Sequence, residues 1–266
     1  MEMAKMKDIR HKFAVELYSF RRELEADFAG TIRKLRKMGW EAVQMDGLRG
    51  NSAEDIAAVL RETGMKVAGM HVSLDRMLND TDNVVYEGLL FGTKDIFCNS
   101  LPEELQNEEG YRYVKRSMLD LADRLNGLGF RVGYHNHEFE FLTKVDNRTA
   151  YDYLMLPEGN RFLYPEVDTY WVQYAEIDPL SVIQRFPDKM PILHLKDMKA
   201  DKELTYPESL AEIGTGIIDF LPILKWGEAN GTEWYVVEQD RSFLAGGMME
   251  SYQISFNNLL KLQERL

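Results

Sequence analysis

Between Asp95 and Phe141 the chain reads DIFCNS (95–100), then Val114, Met118, Leu121 and Leu125 at helical spacing, then Gly127 and Gly129, then RVGYHNHEFEF (131–141). A strand-forming run, an amphipathic helix, glycine where a left-handed C-cap is expected and a second strand-forming run make one βαβ unit. The same grammar extends in both directions. Upstream lie KFAVELYSF from Lys12, AVQMDG from Ala42 and KVAGMHVS from Lys66; downstream lie RFLYPEVDTYW from Arg161, PILHLKDM from Pro191 and EWYVVEQD from Glu233. Successive starts are 30, 24, 29, 36, 30, 30 and 42 residues apart, close to the length of one βαβ unit. Helical spacing recurs at Phe28, Ile32, Leu35 and Met38 and at Ile56, Val59 and Leu60, with Gly39 and Gly64 where those helices should stop. Eight units in one chain of this length predict an α/β protein of a single domain over residues 1–266, a (β/α)8 or TIM barrel, with 1–11 as an N-terminal extension that frays. The alternative is an open doubly wound sheet. That fold usually carries a glycine-rich turn after its first strand, whereas Ser19-Phe20-Arg21-Arg22-Glu23 follows here, so the barrel is preferred. The polar segment from Lys199 to Ile218 reads as a loop over one face.

Composition narrows the function. The 266 residues are 45% apolar and 29% charged, as in a globular protein, and the formal charge of −12 opposes binding to nucleic acid or an anionic membrane. Cys98 is the one cysteine, which excludes an internal disulfide and a thiolate zinc cluster and suits a reducing, cytoplasmic setting. The start MEMAKMKDIRHK has no apolar signal-like core, and no apolar run is long enough to span a bilayer.

Barrel active sites lie at the C-terminal ends of the strands. The polar residues there are Glu16 and Ser19, Gln44 and Asp46, His71, Asn99, His135 to Glu140, Asp168, His194 and Lys196, and Glu238 and Asp240; of five histidines only His11 lies elsewhere. Each has a plainer alternative: His71 as a satisfied structural histidine, Asp168 as a loop cap, and Trp171 as core packing rather than a stacking surface for a sugar ring. A buried carboxylate without a cation is costly, however, and a divalent ion removes that cost. Carboxylates with imidazole form an O/N set suited to Mn²⁺ first, with Mg²⁺, Co²⁺ or Zn²⁺ as alternatives. His71, His135, Lys196, Trp171 and Glu16 are read as substrate-binding residues.

The pieces Tyr134-His135-Asn136-His137-Glu138-Phe139-Glu140-Phe141, Val167-Asp168-Thr169-Tyr170-Trp171, Leu193-His194-Leu195-Lys196-Asp197, Gly214-Thr215-Gly216 with Ile218-Asp219-Phe220, and Val237-Glu238-Gln239-Asp240 together resemble the sugar phosphate isomerase/epimerase group of xylose isomerase-like barrels. The resemblance covers most of the chain. It implies a metal site of Glu140, Asp168, His194 and Glu238, with Glu140, Glu238 and His137 as candidate acid–base residues. Alternation along strand five puts His135 and His137 on one face and Asn136, Glu138 and Glu140 on the other. Both His137 and Glu140 reach the pocket only if the strand stops near Asn136.

The resemblance implies a divalent-metal-dependent isomerase or epimerase that forms an enediolate on a keto-sugar or related polyol. An unphosphorylated substrate is expected, since only Lys196 and the Gly214-Thr215-Gly216 turn could meet a phosphate. The alternatives are a lyase or dehydratase acting on a keto-inositol or 3-keto-glycoside, and a non-catalytic sugar-binding barrel. A DNA-repair endonuclease of similar fold is disfavoured by the negative charge and the few histidines. The expected partner is a small sugar or polyol, with no nucleic acid and no membrane; a homo-oligomer is left open.

Overall fold

A computed structural model describes residues 8–266. All eight strand-forming runs become strands: β1 Phe13–Glu16, β2 Ala42–Asp46, β3 Lys66–Val72, β4 Asp95–Cys98, β5 Arg131–His135, β6 Tyr164–Asp168, β7 Ile192–Leu195 and β8 Trp234–Val237. Each pairs in parallel with the next, and β1 closes on β8 through Phe13↔Tyr235, Ala14↔Val236 and Val15↔Val237. The result is a closed (β/α)8 barrel in one domain.

The helices outside it are α1 Arg21–Met38, α2 Ala53–Thr63, α3 Leu74–Asn79, α4 Thr81–Phe91, α5 Glu108–Asn126, α6 Phe139–Leu142, α7 Ala150–Met155, α8 Thr169–Tyr174, α9 Pro179–Ile183, α10 Phe220–Ala229 and α11 Gly247–Gln263. In α5 the Asn107 side chain accepts the Gly110 N–H at 3.0 Å, a cap worth about 1 kcal/mol. Val114, Met118, Leu121 and Leu125 form the buried stripe of that helix. Its C-terminal signal divides between the two glycines: Gly127 stays right-handed and Gly129, at φ 83°, makes the left-handed turn.

The interior explains where the polar groups go. Ala14, Ala42, Ala68, Phe97, Ile192 and Val236 fill the lower barrel as one cluster, with Tyr164 and Trp234 packed against it. Gly133 admits Phe97 to this layer, since a β-carbon there would lie 2.2 Å from the Phe97 ring and 2.5 Å from the Tyr164 carbonyl. Two residues further along six of the strands the inward position is polar: Ala14 gives way to Glu16, Ala42 to Gln44, Gly133 to His135, Tyr164 to Glu166, Ile192 to His194 and Val236 to Glu238. An apolar floor thus separates the ionisable groups of the C-terminal mouth from the Asp95–Arg131 pair at the N-terminal ends of β4 and β5.

The segment 199–218 is a loop, joined to the barrel by pairing of Asp197–Met198 with Leu210–Ala211. Its Gly214-Thr215-Gly216 turn, read as a candidate phosphate contact, wraps a protein carboxylate instead: Asp197 accepts the N–H groups of Gly214, Gly216 and Ile218 at 2.9, 2.9 and 3.2 Å. A β-carbon at Gly216 would lie 2.2 Å from the Met198 carbonyl oxygen, so this wrap needs glycine. Of the extension expected to fray, residues 1–7 lie outside the described residues. From Ile9 the chain is packed, because Ile9 is buried and its N–H donates to Gln263. No helix among the described residues is long and apolar enough to cross a membrane.

Candidate active site

β5 ends at His135, so His135 points into the barrel and the next residues leave it as a loop. Asn136 ties this exit to β6 by accepting the Asp168 N–H at 3.1 Å. His137 reaches the mouth from the loop. It lines a cavity of about 280 Å³ together with His71, His135, Trp171, Lys196, Tyr206, Glu238 and Asp240, and its ring stacks on Phe139 at 5.2 Å. Burial pushes its pKa well below the usual histidine range, so the ring is neutral, and its Nδ1 has no hydrogen-bond partner.

Glu140 departs from the expected site. It lies in α6, where its carboxylate accepts the Tyr134 hydroxyl at 2.5 Å and the His137 N–H at 2.7 Å. Tyr134 is on the outward face of β5, so Glu140 sits behind the barrel wall and holds the loop that carries His137. Burial pushes its carboxyl up to about 8. The other three expected ligands do converge: Asp168, His194 and Glu238 join His135 in a buried group whose ligand atoms all lie within 4.8 Å of one another. His135 thus occupies the place assigned to Glu140.

A second group of this kind, His71, His135, Glu166 and His194, lies beside it and shares two histidines. Its centre is Glu166, which the sequence reading missed. One carboxylate oxygen is 2.5 Å from His71 Nε2, 3.2 Å from His135 Nδ1 and 3.5 Å from His194 Nε2, and the other accepts Gln44 Nε2 at 2.7 Å. Burial alone would raise Glu166, but His194, His71 and His135 outweigh it and hold the carboxyl well below its usual range. Burial also opposes charge on His71, yet Glu166 and Glu16 raise that ring to about 9. Glu16 is buried and pushed up to about 8 by burial, with one oxygen accepting the Tyr18 N–H and the other without a hydrogen bond, 3.8 Å from His71 Nδ1.

On the opposite side Lys196 Nζ lies 2.9 Å from Glu238 and 2.6 Å from Asp240. Burial disfavours its charge, but Asp240, Glu238 and Asp168 outweigh that and keep it protonated. The ammonium is 4.9 Å from the centre of the Trp171 ring, which is itself buried against Tyr170 and Tyr206.

Asp168 provides the test of whether an ion fits. Its Oδ1 accepts the Trp171 N–H at 3.0 Å, whereas Oδ2 is buried with no hydrogen-bond partner. Burial pushes this carboxyl well above its usual range despite Lys196 nearby. A divalent cation at Oδ2 satisfies the orphan and supplies the missing charge, and the neighbouring imidazoles and carboxylates are donors that suit it.

The closed barrel has the fold of solved xylose isomerase-like proteins. The chain belongs to the family of these barrels that includes the inosose dehydratases: it is 30% identical to the inosose dehydratase of Geobacillus kaustophilus over 246 residues, 79% of each chain. It is 26% identical to that of Clostridium beijerinckii over 148 residues, a match spanning 51% of this chain and only 49% of that relative. Among solved structures, a sugar phosphate isomerase/epimerase from Parabacteroides distasonis superposes with a TM-score of 0.76 at 22% identity, covering 94% of this chain and 98% of the other. The zinc-bound protein IolI superposes with a TM-score of 0.66 at 14% identity, covering 96% and 98%. No family model matches the sequence.

Proposed function

We propose that this protein is a divalent-metal-dependent dehydratase of a keto-inositol or a closely related keto-sugar, which places the lyase alternative ahead of the isomerase. The observation that carries the proposal is the convergence of His135, Asp168, His194 and Glu238 around an unpartnered carboxylate oxygen, in a chain related to inosose dehydratases over most of its length. The zinc reported for the similarly folded IolI supports a metal in a barrel of this fold.

These four residues would hold the ion, which when bound supplies Lewis acidity toward a carbonyl and its neighbouring hydroxyl oxygen. His137 is neutral and faces the cavity, so it can take the proton from the carbon beside the carbonyl. The electrons of that C–H bond form the new C=C bond as the C–O bond one carbon further on breaks. The departing hydroxyl needs a proton, and the ammonium of Lys196, which lines the cavity beside Asp240, can deliver it. Lys196 can donate hydrogen bonds to substrate oxygens, while Trp171 and Tyr206 wall the cavity. Glu140 takes no proton here; it positions His137.

Incubating Mn²⁺-loaded protein with keto-inositols in D₂O and following products by NMR tests the proposal. Loss of water with formation of a conjugated enone or its dicarbonyl tautomer is expected. Epimerisation with no dehydration in any of them would return the assignment to the isomerase alternative.

A further inference from the structure

We propose that Glu166 is the positioning residue that decides which nitrogen of His135 and which nitrogen of His194 is left free for the ion. The inference rests on the His135, Asp168, His194 and Glu238 reading above. An ionised carboxylate accepts hydrogen bonds and donates none. His135 Nδ1 lies 3.2 Å from Glu166 Oε2, so the ring proton sits on Nδ1, and the free nitrogen is Nε2, which faces Asp168 Oδ2 at 4.0 Å. For His194 the instruction passes through Gln44. The amide nitrogen of Gln44 donates to Glu166 Oε1 at 2.7 Å, which orients its carbonyl oxygen toward His194 Nε2 at 2.9 Å. That oxygen can only accept, so the proton of His194 sits on Nε2 and Nδ1 is free, 2.9 Å from Glu238 Oε2.

One carboxylate thereby fixes opposite tautomers on two rings, and both free nitrogens turn toward Asp168 and Glu238. The pair His194 Nδ1 and Glu238 Oε2 then consists of two acceptors in close contact, an arrangement that requires a cation or an extra proton. Glu166, Gln44, His135 and His194 are all fully or almost fully buried, so water cannot substitute for these bonds. Metal-bound histidines commonly donate their second ring N–H to such a partner, and loss of that partner typically weakens metal binding 10- to 100-fold. The deeper group of His71, His135, Glu166 and His194 is on this account the support of the metal centre and does not hold an ion.

The test uses the full chain with ¹⁵N-labelled histidine, whose five rings are read by long-range ¹H–¹⁵N correlation after loading with Zn²⁺. Metal on Nε2 of His135 and on Nδ1 of His194 is expected, with protons on the opposite nitrogens. Co²⁺ binding is then followed by absorption and chelator competition, and Glu166→Gln should bind about 10- to 100-fold more weakly, with a shifted band and an unchanged circular dichroism spectrum; Glu166→Asp should recover part of the loss. Metal on the Glu166-facing nitrogens, or wild-type affinity and band in Glu166→Gln, overturns the proposal while leaving a metal centre in place. The wild-type NMR result decides even where a variant does not fold. A wild-type protein that binds neither ion removes the metal reading itself, and this proposal with it.

Discussion

Replacing Asp168 by Asn should abolish stabilisation by metal while leaving the barrel intact. Oδ1 of Asp168 caps α8 by accepting the Trp171 N–H, and an Asn side chain can accept the same bond, so the contribution of about 1 kcal/mol from this cap is retained. Oδ2 is buried and unpartnered, and burial disfavours its charge, so without metal the neutral amide should be as stable as wild type or more so. With free metal at about 100 times its dissociation constant, wild type gains about 2.7 kcal/mol. At about 2–4 °C per kcal/mol for a chain of this size, that is a rise of roughly 5–10 °C in Tm. Calorimetry of chelator-stripped protein, with and without Mn²⁺, should show this rise in wild type and none in Asp168→Asn. An equal rise in the variant, or a variant unfolded in the absence of metal, would show that Asp168 does not hold the ion.

Glu140→Gln should keep its metal, measured by elemental analysis, because the carboxylate lies behind the barrel wall. It should also flatten the pH dependence of stability. The folded carboxyl is raised from 4.5 to about 8, so its protonated form favours the folded state below about pH 4.5 and that contribution is lost as pH rises through about 8; denaturant unfolding at pH 5 and pH 8 should show a smaller fall for the variant than for wild type. His137→Ala should slow exchange of the substrate proton with solvent by about 10²-fold or more, measured in D₂O at unchanged metal content. Gly133→Ala should destabilise the barrel by about 1–3 kcal/mol through overpacking against Phe97, measured as a lowered denaturant midpoint.

The eight strands were legible because each is a short, largely apolar run ended by polar residues, and the inward alternation follows directly from that. Asp168, His194 and Glu238 were legible as strand-end interruptions. Glu140 was misplaced because its direction depends on a loop and the short helix α6, and spacing within HNHEFEF does not encode where a chain turns after leaving a strand. Glu166 was missed although a signal existed: it lies two residues before Asp168 in YPEVD and therefore shares its inward face. Glu166 lies one layer deeper than the residues at the strand ends. That Gln44 would join Glu166 to His194 was not readable, since it requires the barrel to bring β2, β6 and β7 to a common centre.

The most direct measurement is anomalous diffraction from crystals of Mn²⁺-loaded protein, collected on both sides of the manganese absorption edge. One strong peak is expected within coordination distance of His135, Asp168, His194 and Glu238, with Glu140 still bonded to Tyr134. A peak on Glu140, a peak centred on Glu166 and His71, or no peak in protein shown to contain manganese would contradict this assignment.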